Sequence, residues 1–522
     1  MLYLSAHSDI EDVIELNLLR LKDSIYDFHL TDINILSSSS IIPLGKYIGK
    51  FGNHHLIMDP DTASWTLLDD IENDIYYNLL QDKLFHCSIN NSMNHYFDFN
   101  EFYKALFSRG LVSIDGLYPY KKELYPDILP FHDGLLVELL VTEKCNMGCL
   151  YCQANAGIDK KNMTEPIAMA TVNSAFKLNY NKIIFELSGG EPLLNFGLIP
   201  RIVREIEEKS SVFGKSTIIA LATNGTLLTP WIAEFIKKHG IKLSLSLDGP
   251  DEVNQLSRPM ISGRKVIIQD IINILRDYDI PLNILLTVNR HNVKYPEKII
   301  KFLNELKPHS VKLNPITLVG RASENDSICI SNTEYIAFIK NMYKSMIINN
   351  IFIPEFNLSE ILNRLITKFR DYRCMRAHCN AGKSYFVVDS LGKIFPCAQM
   401  TGYQHTVLGN VLALNNKLDE LSVENELINC FNSRKVSENI YCSKCEWLKF
   451  CEGGCIVETM SKSKVEFRSV KSPNCDYYSS IYSYIMEIIS LYSEQLDIFL
   501  KSENFRYCPG RVVNEKFYIN EI

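Results

Sequence analysis

Residues 142–157, TEKCNMGCLYCQANAG, place Cys145, Cys149 and Cys152 in a CxxxCxxC spacing just after an apolar run. Three thiols this close in sequence can hold one metal centre, and the chemistry depends on which metal it is. A structural zinc site takes four protein ligands. Three sulfurs on a cuboidal iron–sulfur cluster leave one iron open to a small molecule. A second group lies toward the C-terminus: Cys374, Cys379, Cys397, Cys442, Cys445, Cys451, Cys455 and Cys475. Its core string, CSKCEWLKFCEGGC, reads CxxCxxxxxCxxxC, and Gly392 precedes Cys397 in a Gly-x4-Cys. CxxC pairs serve zinc as well as iron, so spacing alone leaves both metals open. Eleven of the fifteen cysteines fall in these two groups. Cys87, Cys329, Cys430 and Cys508 have no partner at metal spacing and read as plain thiols.

Such thiols need a frame. From Gly134 onward, the runs GLLVELLV, KIIFEL, STIIALA, IKLSLSL, LNILLTV and VKLN read as strands. Between them helical spacing recurs over 164–179, 198–208, 231–239, 265–278 and 297–306. Strands joined through helices pair in parallel with right-handed crossovers, so a partial (βα)6 barrel of α/β class is expected over 131–320. Ligands of β/α barrels sit at the carboxyl ends of the strands. The first cysteine loop follows the first strand. Ser188-Gly189-Gly190-Glu191-Pro192 follows the second, Thr223-Asn224-Gly225 the third, and Ser246-Leu247-Asp248-Gly249-Pro250 the fourth. Paired glycines permit a sharp turn and a close approach, an acid accepts from an ammonium, and Arg258 can bind a carboxylate bidentately. A plain turn explains the Gly-Gly-Glu-Pro string, Asn224 and Asp248 equally well, and an ordinary ion pair explains Arg258.

With an aromatic residue, Tyr151, just before the third cysteine, the barrel and its loop resemble the radical S-adenosylmethionine (radical SAM) enzymes. The later cysteines resemble the SPASM extension, and together they point to the radical SAM/SPASM maturases of ribosomally made peptides (RiPPs). The resemblance implies a SAM-binding 4Fe–4S cluster on Cys145, Cys149 and Cys152. It also implies SAM contacts from Tyr151, Ser188, Gly189, Gly190, Glu191, Asn224, Ser246 and Arg258. Two auxiliary 4Fe–4S clusters follow, one on Cys374, Cys379, Cys397 and Cys455 and one on Cys442, Cys445, Cys451 and Cys475, making three in all. A flavodoxin- or ferredoxin-type donor and a precursor peptide are the implied partners. The expected reaction is a C–C or C–S (thioether) cross-link, and no acid–base catalytic residue is assigned. Peptide epimerisation and Cys or Ser oxidation of the anaerobic sulfatase-maturating type are the alternatives. That last family usually has an acid directly after the cysteine corresponding to Cys397, where this chain has Ala398. From another class comes a zinc-stapled, non-catalytic peptide-binding scaffold.

Residues 1–130 carry no catalytic motif. IIPLGKYIGKFG and HHLIMDPDTASWTLLDD read as short strands, and Asp59–Thr62 supplies turn chemistry. Helices are expected over 71–80 and 99–109, and a strand over 111–114. This content resembles the winged-helix-like RiPP recognition element, at about 41–116, which adds a precursor's leader to its sheet as an extra strand. A scaffold without a ligand is the alternative. Residues 321–370 read as a loose bridging region with a helix near 335–349, 371–480 as the SPASM domain, and 481–522 as a helical tail. The chain has 522 residues, 46% hydrophobic and 22% charged, with a formal net charge of −7, which argues against a nucleic-acid partner. There is no basic leader and no apolar run of about eighteen residues, so no membrane association and a cytoplasmic location are expected. In that compartment disulfides are disfavoured, leaving ligation as the use for clustered thiols.

Overall fold

The computed structural model describes residues 39–81, 99–118, 134–366, 379–401, 403–413, 425–432, 434–457 and 469–502. Near the N-terminus lie β1 (Ile41–Pro43), β2 (Lys46–Phe51), β3 (His54–Asp59), β4 (Ser64–Leu68), α1 (Asp70–Leu80), α2 (Phe99–Ser108) and β5 (Val112–Ile114). β2, β3 and β4 form an antiparallel meander, and β5 returns to pair with β1. Asp59 makes the β3–β4 turn, accepting from Asp61 N at 3.0 Å and Thr62 Oγ1 at 2.8 Å. α1 opens with a capping box of Asp69 and Glu72, satisfying two backbone donors that a helix start leaves unpaired. Ile57, Tyr76, Phe102, Leu106 and Val112 close a small core between these elements.

The alternating pattern after Gly134 folds as β6 (Gly134–Thr142), α3 (Glu165–Lys177), β7 (Lys182–Gly189), α4 (Ile199–Phe213), β8 (Ser216–Thr223), α5 (Pro230–Lys238), β9 (Lys242–Ser246), α6 (Asp251–Ser257), α7 (Ile268–Asp277), β10 (Asn283–Val288), α8 (Pro296–Leu306) and β11 (Ser310–Pro315). The six strands are hydrogen-bonded in sequence order and in parallel, giving the partial barrel expected of them. α6 is additional to that expectation. Its seven residues are too few to show a helical period beside the Gly-Pro turn.

Beyond the barrel come α9 (Asn332–Ile348), α10 (Phe356–Ile366), β12 (Tyr385–Val388), β13 (Lys393–Phe395), β14 (Gly409–Asn410), α11 (Glu426–Asn432), α12 (Leu448–Cys451), α13 (Cys475–Leu491) and α14 (Ser493–Lys501). β12 pairs in parallel with β6, Tyr385 opposite Leu136, so the cysteine-rich region extends the barrel sheet to nine strands. The stretch read as loose holds two packed helices. Glu355, 1% exposed, accepts from Leu313 N, Leu358 N and Tyr343 Oη and so pins α10 to β11 and α9. α13 begins at Cys475, earlier than the tail was expected to start. Trp65 Nε1 donates to Leu365 O at 2.8 Å, and His54 Nδ1 lies 2.8 Å from Ser490 Oγ, which seats the N-terminal module on α10 and α13. Among the described residues no helix is long and apolar enough to cross a membrane.

Candidate active site

Cys145, Cys149 and Cys152 leave the end of β6 on one loop and pack with Met147, Ala156 and Met260. All three line one end of a cavity of about 700 Å³ at the carboxyl ends of the strands. Burial pushes the Cys145 thiol up to about 12 and raises Cys149 as well, the latter partly countered by the Arg258 guanidinium. Ligation must therefore release protons. Among the described residues no group of three His, Cys, Asp or Glu side chains is arranged to hold a single metal ion. A zinc tetrahedron needs sulfurs about 3.8 Å apart, from bonds of about 2.3 Å. Three sulfur donors around one cavity, with a further buried donor, Arg321 Nη2, left without a partner, suit a larger cluster with a polar small molecule beside it.

The glycines after β7 serve the loop first. A Cβ on Gly190 would lie 2.1 Å from Lys144 O, and one on Gly189, whose φ is +128°, 2.1 Å from Thr142 O. Gly190 N donates to Thr142 O at 2.8 Å and Glu191 N to Lys144 O at 2.7 Å, so the close approach is to backbone rather than to a ligand. Glu191 is fully buried. Its carboxylate accepts from Thr223 Oγ1 (2.6 Å), Asn224 N (2.7 Å) and Leu193 N (3.1 Å), tying the ends of β7 and β8 together. Gly189 and Gly190 line the cavity and Glu191 does not. The expected ammonium acceptor is thus engaged as a tether.

Ser188 Oγ donates to Glu138 Oε1 at 2.5 Å, while Ser246 lines the cavity at the end of β9. Asn224 is both turn former and thiol neighbour: its Oδ1 accepts from Thr226 N, and its Nδ2 lies 4.0 Å from Cys145 Sγ. Arg258, 9% exposed, is no surface pair. Its Nε approaches Asp248 Oδ1 to 3.1 Å, though the angle leaves that N–H without a directed hydrogen bond, so the contact is ionic. Arg258 Nη1 lies 4.0 Å from Cys149 Sγ, and its guanidinium sits 5.3 Å from the Tyr151 ring. Burial works against this charge, but the Asp248 carboxylate outweighs it and the net displacement is upward. Tyr151 Oη donates to the same Asp248 at 2.5 Å.

The family model described as Radical SAM superfamily matches residues 139–303. Uncharacterized protein MJ0907 of Methanocaldococcus jannaschii is 34% identical over 218 residues, 40% of this chain and 74% of that protein. The chain belongs to the radical SAM superfamily. Membership brings SAM and a 4Fe–4S cluster as cofactors and makes the protein an enzyme. The cysteine-type anaerobic sulfatase-maturating enzyme of Clostridium perfringens is 24% identical over 361 residues, 65% of this chain and 93% of its own. The radical SAM cyclopropyl synthase TigE of Paramaledivibacter caminithermalis is 22% identical over 470 residues, 81% and 86%. In fold, native anSMEcpe with bound AdoMet superposes with a TM-score of 0.59 at 21% identity, covering 71% of this chain and all of that one. Streptococcus suis SuiB bound to its precursor peptide SuiA superposes with 0.51 at 17% identity, covering 83% and 100%.

Away from the SAM end, Cys379, Cys397 and Cys455 pack into one apolar cluster with Tyr385. Cys374, their expected fourth partner, lies outside the described residues. Cys442, Cys445, Cys451 and Cys475 form the other gathering. Burial pushes Cys445 up to about 11, with Cys475 and Cys442 adding, and Cys451 up to about 12, with Cys442 and Cys445 adding. The two sets divide as the resemblance implied.

Three features were missed from the sequence. Gly320 and Arg321, in the stretch read as loose, clamp the first cysteine loop. A Cβ on Gly320 (φ +57°) would lie 2.4 Å from Cys152 O, and Arg321 Nε and Nη1 donate to Cys149 O and Ala156 O at 2.8 and 2.9 Å. Arg434, 4% exposed, donates to Gly453 O and Gly454 O and feels Cys379 and Cys455 of one set and Cys442 and Cys451 of the other. Glu138 and Glu186 line the inner barrel wall. Acids inside apolar strands were the available signal, since a buried charge is costly unless it has a task.

Proposed function

We propose that the protein is a peptide maturase that installs a C–C or thioether cross-link in a ribosomally made precursor. The observation that carries this reading is the continuity of one cavity, lined by Cys145, Cys149 and Cys152 at one end and by Cys455 and Ala398 at the other. When bound, the cluster and SAM supply a 5′-deoxyadenosyl radical able to take hydrogen from an unactivated C–H. The chain's own groups hold, orient and exclude water. Cys145, Cys149 and Cys152 are the ligands, with Asn224 and Arg258 placed to favour the thiolate form of two of them. Tyr151, Ser188, Gly189, Gly190, Ser246 and Arg321 face the same space and are the groups to hold SAM, and Glu191 braces them. Cys379, Cys397 and Cys455, completed by Cys374, are assigned to one auxiliary 4Fe–4S cluster and Cys442, Cys445, Cys451 and Cys475 to the other. A flavodoxin- or ferredoxin-type protein is the proposed electron donor. The N-terminal module takes the leader along β2, which pairs on one edge among the described residues and exposes Lys46, Tyr47 and Lys50.

The match to sulfatase-maturating enzymes favours Cys or Ser oxidation as the second reading. Ala398 after Cys397 stands against it. Anaerobic coexpression with a short precursor encoded beside this gene, followed by mass spectrometry, decides. Cross-linking removes two hydrogens and joins two residues in fragment spectra. A hydrazine-trapped aldehyde would assign the oxidase, and an unchanged mass with an inverted centre would assign an epimerase.

A further inference from the structure

The cavity wall carries an acidic pair that the cofactor-binding groups leave without a task. Glu138 on β6 and Glu186 on β7 occupy directly paired positions of adjacent parallel strands, so their side chains share the inner face of the barrel. Both line the cavity. Glu138 Oε1 accepts from Ser188 Oγ at 2.5 Å, and Oε2 accepts from Tyr385 Oη at 2.8 Å. Tyr385 Oη in turn accepts from Ala398 N at 3.2 Å, the residue next to Cys397. One phenol therefore links the carboxyl pair to the loop of an assigned auxiliary ligand. Gln153, next to Cys152, reaches the same loop, its Nε2 donating to Gln399 Oε1 at 3.2 Å. Neither Ala398 nor Gln399 brings an acid or base of its own.

The groups facing the pair are few. Lys312 on β11 acts on Glu186 from another strand, and its ammonium lies 5.1 Å from the Phe356 ring. Tyr385 and Ser188 face Glu138. Two carboxylates opposite one another on neighbouring strands do not ionise together cheaply. Burial raises both, and Glu186 is pushed up to about 8, with Glu138 adding and Lys312 opposing. Such a pair holds one proton near neutrality and has room for a second.

We propose that the Glu138–Glu186 pair is the proton acceptor for the oxidative half of the reaction. The inference rests on the cross-linking reading above. Joining a carbon-centred substrate radical to a second group X–H forms a C–X bond and breaks X–H, which releases one electron and one proton. The electron goes to an iron–sulfur oxidant held by Cys379, Cys397 and Cys455. The proton goes to the ionised member of the pair, leaving two carboxylic acids. Tyr385 holds Glu138 beside the loop where the electron arrives, so both charges leave the substrate in the same direction.

Two measurements test this on the full chain. In the reconstituted enzyme, the midpoint potential of the auxiliary centre, followed by electron paramagnetic resonance, falls as pH rises from 6 to 9. In the double variant E138Q/E186Q it becomes independent of pH, while iron content stays at about twelve per chain. A wild-type potential that is flat with pH overturns the proposal. Iron near four per chain would instead remove the auxiliary centres, and with them the reading on which the proposal rests. In the metal-free chain, infrared absorption shows a protonated carboxyl at pH 7 that the double variant loses and that E186Q alone shifts to a lower titration midpoint. Absence of that band in the wild type, or its persistence in the double variant, also overturns the proposal. The single variants E138Q and E186Q serve if the double variant does not fold.

Discussion

Replacing Glu186 by Gln separates a carboxyl held neutral by its surroundings from an ordinary surface acid. Glu186 is half-buried, and what it exposes faces the cavity rather than bulk solvent. Burial, with the Glu138 charge adding and Lys312 opposing, pushes it from 4.5 up to about 8. The sign follows from linkage. A group whose folded value is raised contributes stability below its unfolded value, and that contribution is lost as pH climbs through the folded one. Between pH 4.5 and 8 the wild type therefore loses about 1.4 kcal/mol for each pH unit, an upper bound of about 5 kcal/mol that water in the cavity reduces. Gln is neutral and nearly isosteric, so the variant escapes this loss. An unfolding entropy of about 2.1 cal/mol/K per residue converts 4 kcal/mol to a Tm difference of about 3–4 °C for a chain this long. The assay is anaerobic scanning calorimetry of the metal-free protein at pH 5.5 and 8.5. E186Q is expected to match the wild type within about 1 °C at pH 5.5 and to exceed it at pH 8.5. An equal loss of Tm at both pH values would refute the reasoning, because it would make Glu186 a packing residue whose charge state the fold does not sense.

Glu191→Ala strips the acceptor from Thr223 Oγ1, Asn224 N and Leu193 N. At about 1–3 kcal/mol for each orphaned donor, it should lower the Tm of the metal-free chain, whereas a role confined to holding SAM would leave that Tm unchanged. Gly320→Ala puts a Cβ against Cys152 O and Gln153 O in a left-handed backbone. At a strain of about 1–3 kcal/mol, SAM cleavage by the reconstituted enzyme should fall while iron at the auxiliary sites is kept. Pairwise replacement of Cys379 and Cys455, or of Cys442 and Cys475, should each remove about four irons without removing the other eight. Equal loss from both variants would mean that the sets are not independent.

The barrel was legible because its burial pattern is written into short runs. β7 and β8 are apolar enough to stand between neighbours, and α7 and α8 bury one face each, Ile268, Ile271, Ile272 and Leu275 in the former. The bridging region was harder for a physical reason. α10 is held by Glu355, a single buried acid with four partners on α9, α10 and β11, and that arrangement has no periodicity to read. Nor could β12 be placed beside β6 in advance. Its four residues complete a sheet whose other strands lie far earlier in the chain, and pairing at that separation is set by tertiary closure rather than by local preference.

At the site, cysteine spacing carried more than any other signal because ligation demands one residue type at fixed intervals. The Gly-Gly-Glu turn was legible in position but not in use: its glycines admit the carbonyls of Thr142 and Lys144, and its acid is spent on Asn224 and Thr223. Glu138 and Glu186 break their apolar strands at paired positions. A single acid in a strand can be excused by a neighbour, but two in register on the inner face of a barrel oppose both burial and each other. Natural folds keep such a cost where it bears on a reaction. Here the wall that carries it lies between the three cysteines that open the chemistry and the loop of Cys397 that is assigned to close it, which makes the pair a position for proton traffic rather than a defect of packing.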